Sequence, residues 1–119
     1  MSYLEKNIGT VADRVKRGAG LLDEFSKIDS TIENWRSKID IGSLNMHSPT
    51  NDILGQLFGT FREGWQKLYS SGLIDKNALE NTGEHINMNG IYGVYYGFDS
   101  FYNEFFALGT EWIGILNNS

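Results

Sequence analysis

The apolar positions of this chain recur mostly at helical spacing. Leu4, Ile8, Val11, Val15, Leu22 and Phe25 follow a 4-3-4 rhythm, with Gly18 where the next apolar side chain would fall. Glu5, Lys6, Asp13, Arg14, Lys16 and Arg17 lie off that stripe. The pattern predicts a helix over about 3–27 with a narrow seam, nearer a coiled-coil stripe than a broad core face. Asp13 and Arg17, four apart, stand in a helix-supporting order. Gly18 and Gly20 each weaken a helix by about 1 kcal/mol relative to Ala, so they point to a close backbone approach or a kink. The rhythm slips at Phe25, Ile28 and Ile32. Ser30 and Glu33 have capping-box spacing there, which predicts a second helix carrying Ile32, Trp35 and Ile39 and ending near Gly42.

Ser48-Pro49 reads as an N-cap followed by proline at the first helical position. Beyond it Ile53, Leu54, Leu57, Phe58, Phe61, Trp65, Leu68 and Tyr69 share about 160° of a helical wheel, with Arg62, Glu63, Gln66 and Lys67 outside. This predicts a helix over 49–71, stopped by Gly72. Asp75 caps a short predicted helix over 76–82. The last segment, Gly90 to Leu116, reads GIYGVYYGFDSFYNEFFALGTEWIGIL. Its glycines and aromatics suit a strand or hairpin over 86–98. The wheel favours a helix. Ile91, Val94, Tyr95, Phe98, Phe101, Tyr102, Phe105, Phe106, Leu108, Trp112, Ile113, Ile115 and Leu116 occupy one half, and Gly93, Gly97, Ser100, Glu104, Ala107, Glu111 and Gly114 the other. One helix of roughly 40 Å is predicted.

The expected fold is therefore all-α: a long N-terminal helix, broken near Asp29, and a small helical body, about four helices altogether. Residues 1–41 read as a coiled-coil-like arm and 42–119 as the body with the aromatic C-terminal helix, within a single structural domain. The seam of the first helix calls for a partner helix, in the same chain or in another subunit.

Charge and composition narrow the function. The chain has no cysteine, which removes disulfides, thiolate metal sites and Cys nucleophiles. The formal charge of −5 falls entirely on residues 41–119, whose only bases are Arg62, Lys67 and Lys76. Such a region repels phosphate backbones, so direct nucleic-acid binding is disfavoured. No apolar run suits a signal peptide or a membrane span, which needs about 20 apolar residues. A cytoplasmic location, or incorporation in a particle, is expected.

Candidate chemistry is sparse. His47 and His85 have no partner at ligand spacing, and Gly18-Ala19-Gly20 lacks the strand and the Gly-Lys-Ser/Thr of a phosphate loop. No catalytic residue, cofactor or metal is expected, and the chain does not read as an enzyme. Gly55-x-x-x-Gly59 and Gly93-x-x-x-Gly97 have the spacing that lets helices approach closely. The tyrosines come without a basic groove, which favours packing and protein contact over base stacking.

The sequence thus points to a structural or assembly subunit working through helix-mediated contacts, in a homo- or hetero-oligomer. A small component of a virus particle or phage tail has these general properties. The candidate partner-binding residues are Leu4, Ile8, Val11, Val15 and Leu22 on the first helix, and Gly93, Gly97, Glu104 and Glu111 on the last. The alternative is a small acidic inhibitor or immunity-type protein that blocks a basic partner. It requires Glu80, Glu84, Asp99, Glu104 and Glu111 to cluster on one exposed face.

Overall fold

Local capping sets where the helices begin and end. The computed structural model describes residues 8–75, 88–100 and 104–118. Helix α1 (Val11–Phe25) starts at Thr10, whose hydroxyl accepts from the Asp13 amide at 3.1 Å while the Asp13 carboxylate accepts from the Thr10 amide at 3.2 Å. This reciprocal box satisfies two otherwise orphaned donors. Gly9, at φ 90°, turns the chain into the cap, so the helix predicted over 3–27 is interrupted before Thr10.

The helix predicted from Ser30 is replaced by short turns. Asp29, not Ser30, accepts from the Thr31 amide at 3.0 Å and caps a 3-10 turn, Ser30–Ile32. Asn34 in the left-handed region (φ 59°) then leads into the single turn α2 (Trp35–Lys38) and a further 3-10 turn, Ile41–Ser43.

The helix predicted over 49–71 begins later and is split. Asp52 rather than Ser48 caps α3 (Ile53–Phe58), accepting from the Gly55 amide at 2.6 Å. Pro49 lies in the preceding turn. Its carbonyl is taken by the Phe61 amide at 2.7 Å, which holds that turn against the next helix. Gly59 at φ 103° breaks the chain, Thr60 caps α4 (Phe61–Ser70), and Gly72 at φ 85° follows its end, as its position in the sequence suggests.

The last segment is helical rather than a hairpin, but it forms two helices, α5 (Met88–Tyr95) and α6 (Phe105–Asn117). The predicted 40 Å helix is broken at Gly97, φ 74°. The Gly97 amide donates to Val94 and the Phe98 amide reaches back to Gly93, the double closure of a Schellman C-cap. The helix predicted over 76–82 lies outside the described residues. Among the described residues there is no strand, and the fold is all-α.

The core assembles around a column of rings. Trp35 meets Trp112 edge-on at 6.1 Å; Trp112 stacks on Phe98 at 5.6 Å; Phe98 lies 6.3 Å from Trp65, which leads to Tyr69 at 5.9 Å. All three tryptophans belong to this column, which joins α2, α6, the loop after α5, and α4. Edge and offset ring contacts each add about 0.5–1.5 kcal/mol beyond the area they bury. Around the column one hydrophobic cluster runs from Ile8 to Leu116 and includes Val15, Leu22 and Phe25 of α1. The boundary expected at 41/42 falls within the Ile41–Ser43 turn, and side chains on both sides of it share this cluster.

Helix α1 packs along α6 and crosses the end of α5. A Cβ on Gly18 would collide with the Tyr96 carbonyl, and one on Gly97 would sit 2.8 Å from the backbone of Val15. The two main chains therefore touch where neither residue carries a side chain. Gly20, by contrast, faces open space.

Candidate interaction surface

The sequence-predicted contact residues divide into three groups. Leu4 lies outside the described residues. Ile8, Val15 and Leu22 are buried and Val11 is partly buried against the same core, so the seam of α1 is filled within the chain by α5 and α6. Gly93 and Gly97 are also buried, Gly97 beneath α1. Because the segment breaks between Gly97 and Phe105, Gly93 and Gly97 share no helix face with Ala107, Glu111 and Gly114.

Glu104 is placed by a long-range pair. Arg14 donates through Nη1 and Nη2 to the two Glu104 oxygens at 3.2 and 3.0 Å, and through Nε to the Thr10 carbonyl at 3.3 Å. The Arg14 side chain is only 5% exposed against 32% for Glu104. The planar guanidinium matches the carboxylate fork, so the pair fixes direction as well as distance. Hydrogen bonding from Arg14, with its charge and the Ser100 hydroxyl, holds the Glu104 carboxyl below its ordinary range against the opposing effect of burial. The pair pins the start of α6 to α1. Nearby, Arg17 donates to the Tyr95 carbonyl at 3.0 Å and to the Ile8 carbonyl, and lies 4.0 Å over the Tyr95 ring.

Among the described residues of the predicted group, Glu111 alone is open to solvent. It marks one margin of the outer face of α6. At about 100° per residue, Phe106, Thr110, Ile113, Asn117, Gly114, Ala107 and Glu111 span about 160° of that helix. Phe106 is 89% exposed, although its sequence position assigns it to the buried aromatic half. Leu108, Trp112 and Leu116 take the inner side. Phe106 lies about 120° from Trp112 on the wheel of α6, at the margin of its apolar half, and so faces outward. No residue of α6 is basic, and Glu111 is its only acid.

Beside Glu111, a groove of about 840 Å³ lies between α1 and α6, with Lys16, Gly20, Arg36 and Gly114 among its walls. Arg36 is held there by Asp23, which accepts from its Nη1 at 2.6 Å and from Trp35 Nε1 at 2.9 Å. These bonds, with the nearby charges, outweigh desolvation and lower the Asp23 carboxyl.

The described acids of the C-terminal segment, Asp99, Glu104 and Glu111, do not gather. Asp99 is half-buried, Glu104 is paired with Arg14, and Glu111 is exposed on α6; Glu80, Glu84 and His85 lie outside the described residues. No group of acidic or histidine side chains among the described residues is arranged to hold a metal ion, and no described helix is long and apolar enough to cross a membrane. No family model matches the sequence, and no curated protein or solved structure shows significant similarity to it.

Proposed function

We propose that this chain is a non-enzymatic structural or assembly subunit that works through helix-mediated protein contacts, with the outer face of α6 as its contact surface. The observation that carries the reading is Phe106, a large aromatic 89% exposed on a helix face with a single charge. Singly exposed apolar residues are ordinary. Here, however, Ala107, Thr110, Ile113 and Gly114 extend the same face, and small residues beside an aromatic suit a helix laid against it. A virus particle or phage tail is the kind of assembly such a subunit suits. The dispersal of Asp99, Glu104 and Glu111 favours this reading over an acidic inhibitor. Light scattering over a wide concentration range tests it: the wild-type chain associates, alone or with a co-purifying partner, and Phe106→Glu abolishes the association. A wild-type chain that remains a partnerless monomer at high concentration refutes it.

A further inference from the structure

A second feature lies away from α6's outer face. Between the 46–52 turn, α4 and the loop into α6 is a small cleft of about 160 Å³. Asp52 and Asp99 supply its carboxylates, Phe61, Phe98 and Phe105 its aromatic walls, and His47 stands at its mouth with its ring edge-on to Phe105 at 4.6 Å.

The charges here lack a match. Asp52 is 3% exposed. One of its oxygens accepts from the Gly55 amide at 2.6 Å, and one Asp99 oxygen accepts from the Ser100 amide at 2.8 Å. Neither second oxygen accepts a hydrogen bond among the described residues. Every fully enclosed side-chain oxygen among those residues does have a partner, so neither of these two oxygens is fully enclosed, and both residues line the cleft. The ion pairs among the described residues are Arg14–Glu104, Lys27–Glu24 and Arg36–Asp23, and none involves Asp52 or Asp99. Two carboxylates withdrawn from water without a cation are costly. Burial pushes Asp52 up to about 6, with the charge of Asp99 acting in the same direction, and burial raises Asp99 as well. The groups that face Asp52 here are Asp99 and His47; α4 and α6 bring only Phe61 and Phe105 to the lining.

The lining selects the kind of cation. A calcium or magnesium site needs about six oxygen ligands, whereas three aromatic rings with two carboxylates suit an organic cation whose alkyl part lies against ring faces. Size selects further. A volume of 160 Å³ equals about five waters, well below the roughly 300 Å³ at which pockets take whole small molecules. It admits one end group with a few methylenes.

We propose that this cleft is a binding site for an ammonium group, the anchor being a lysine side chain of a protein neighbour. The proposal rests on the assembly reading for the identity of the neighbour, but its geometry is independent of α6's outer face.

The test is amide-resolved NMR titration of the full chain with Nα-acetyl-lysine-N-methylamide. The Gly55 and Ser100 amides, which bond Asp52 and Asp99 directly, shift saturably with a Kd on the order of millimolar, typical of a single side chain. Affinity falls as pH drops through about 6, where Asp52 takes up its proton. Asp52→Asn and Asp99→Asn each weaken binding at least tenfold. At position 52 Asn caps α3 as well as Asp does, and at position 99 its amide oxygen still accepts from the Ser100 amide, so the fold is retained. Glu111→Gln leaves binding unchanged. The proposal is overturned if the Gly55 and Ser100 amides do not saturate, if the Asn variants bind equally well, or if calcium alone saturates the site at lower concentration. An assembly still abolished by Phe106→Glu alongside any of those results shows that the cleft proposal alone has failed.

Discussion

Replacing Gly97 by alanine separates a packing role from a surface role. Gly97 ends α5 at φ 74°, where an L-residue with a Cβ costs roughly 1–2 kcal/mol. The added carbon would lie 2.8 Å from Val15 Cα and N and 2.9 Å from the Arg14 carbonyl carbon. All three are backbone atoms of α1, so no rotamer relieves the contact and the helices must part. Overpacking of this kind costs about 1–3 kcal/mol. The two effects together destabilise by about 2–5 kcal/mol, a large share of the roughly 5–15 kcal/mol of a small domain. Gly93→Ala is the matched control. Its Cβ would meet only Asp99 Cβ at 3.6 Å and Phe61 at 3.9 Å, and alanine inside a helix gains up to about 1 kcal/mol. In urea, with slopes of about 1–3 kcal/mol/M, the Gly97 variant melts earlier by about 1–2 M and the Gly93 variant does not. A Gly97→Ala protein with a wild-type midpoint refutes the crossing. If it also fails to assemble, Gly97 belongs to a contact face, as the sequence pattern suggests.

Glu104→Ala leaves Arg14 buried without a counter-charge, and partial exposure of Glu104 keeps the loss to about 2–4 kcal/mol in denaturant melts. Thr10→Ala removes the α1 cap and costs about 1 kcal/mol by the same measurement. Asp52 has a folded-state pKa raised to about 6, so its stabilising share is complete below about pH 4 and is lost as pH rises through 6; Asp52→Asn flattens that part of the stability–pH curve. Glu104 and Asp23 are shifted downward and act in the opposite sense: their shares hold at neutral pH and are lost on acidification. Phe106→Ser changes the unfolding free energy by no more than about 0.5 kcal/mol in denaturant melts, because the side chain touches little of its own chain.

The helical class was legible because apolar spacing near 3.6 survives in every long element. The breaks were not. Gly9, Gly59 and Gly97 take positive φ, Gly18 and Gly55 touch backbone, and Gly20 and Gly114 touch nothing, yet all read alike in sequence. Periodicity also runs across the break at Gly59, since α3 and α4 both bury their apolar sides, so the pattern alone suits one long helix there. Ser48 and Asp52 are both chemically sound caps. The Phe61–Pro49 hydrogen bond, a contact across the turn, accompanies the choice of Asp52. On the outer face of α6, Ala107, Glu111 and Gly114 were readable as the less apolar half. Phe106 was not, because it stands at the margin of the apolar half, where periodicity alone does not say whether a side chain is covered. The Asp52–Asp99 cleft gave no local signal, as its walls come from three separate segments.

The pairing of α1 with α6 also governs how the molecule is made. Arg14 and Glu104 are 90 positions apart, and the helices they join lie near opposite ends of the described chain. Contacts of such separation require a long loop to close before they return any free energy, which slows folding. During synthesis α1 emerges before α6, and Val15 and Leu22 lack the cover of α6 until that helix has been translated. The nascent chain therefore carries a sticky helix throughout the interval between Phe25 and Phe105, and a ribosome stalled before Phe105 holds a polypeptide that cannot close its core.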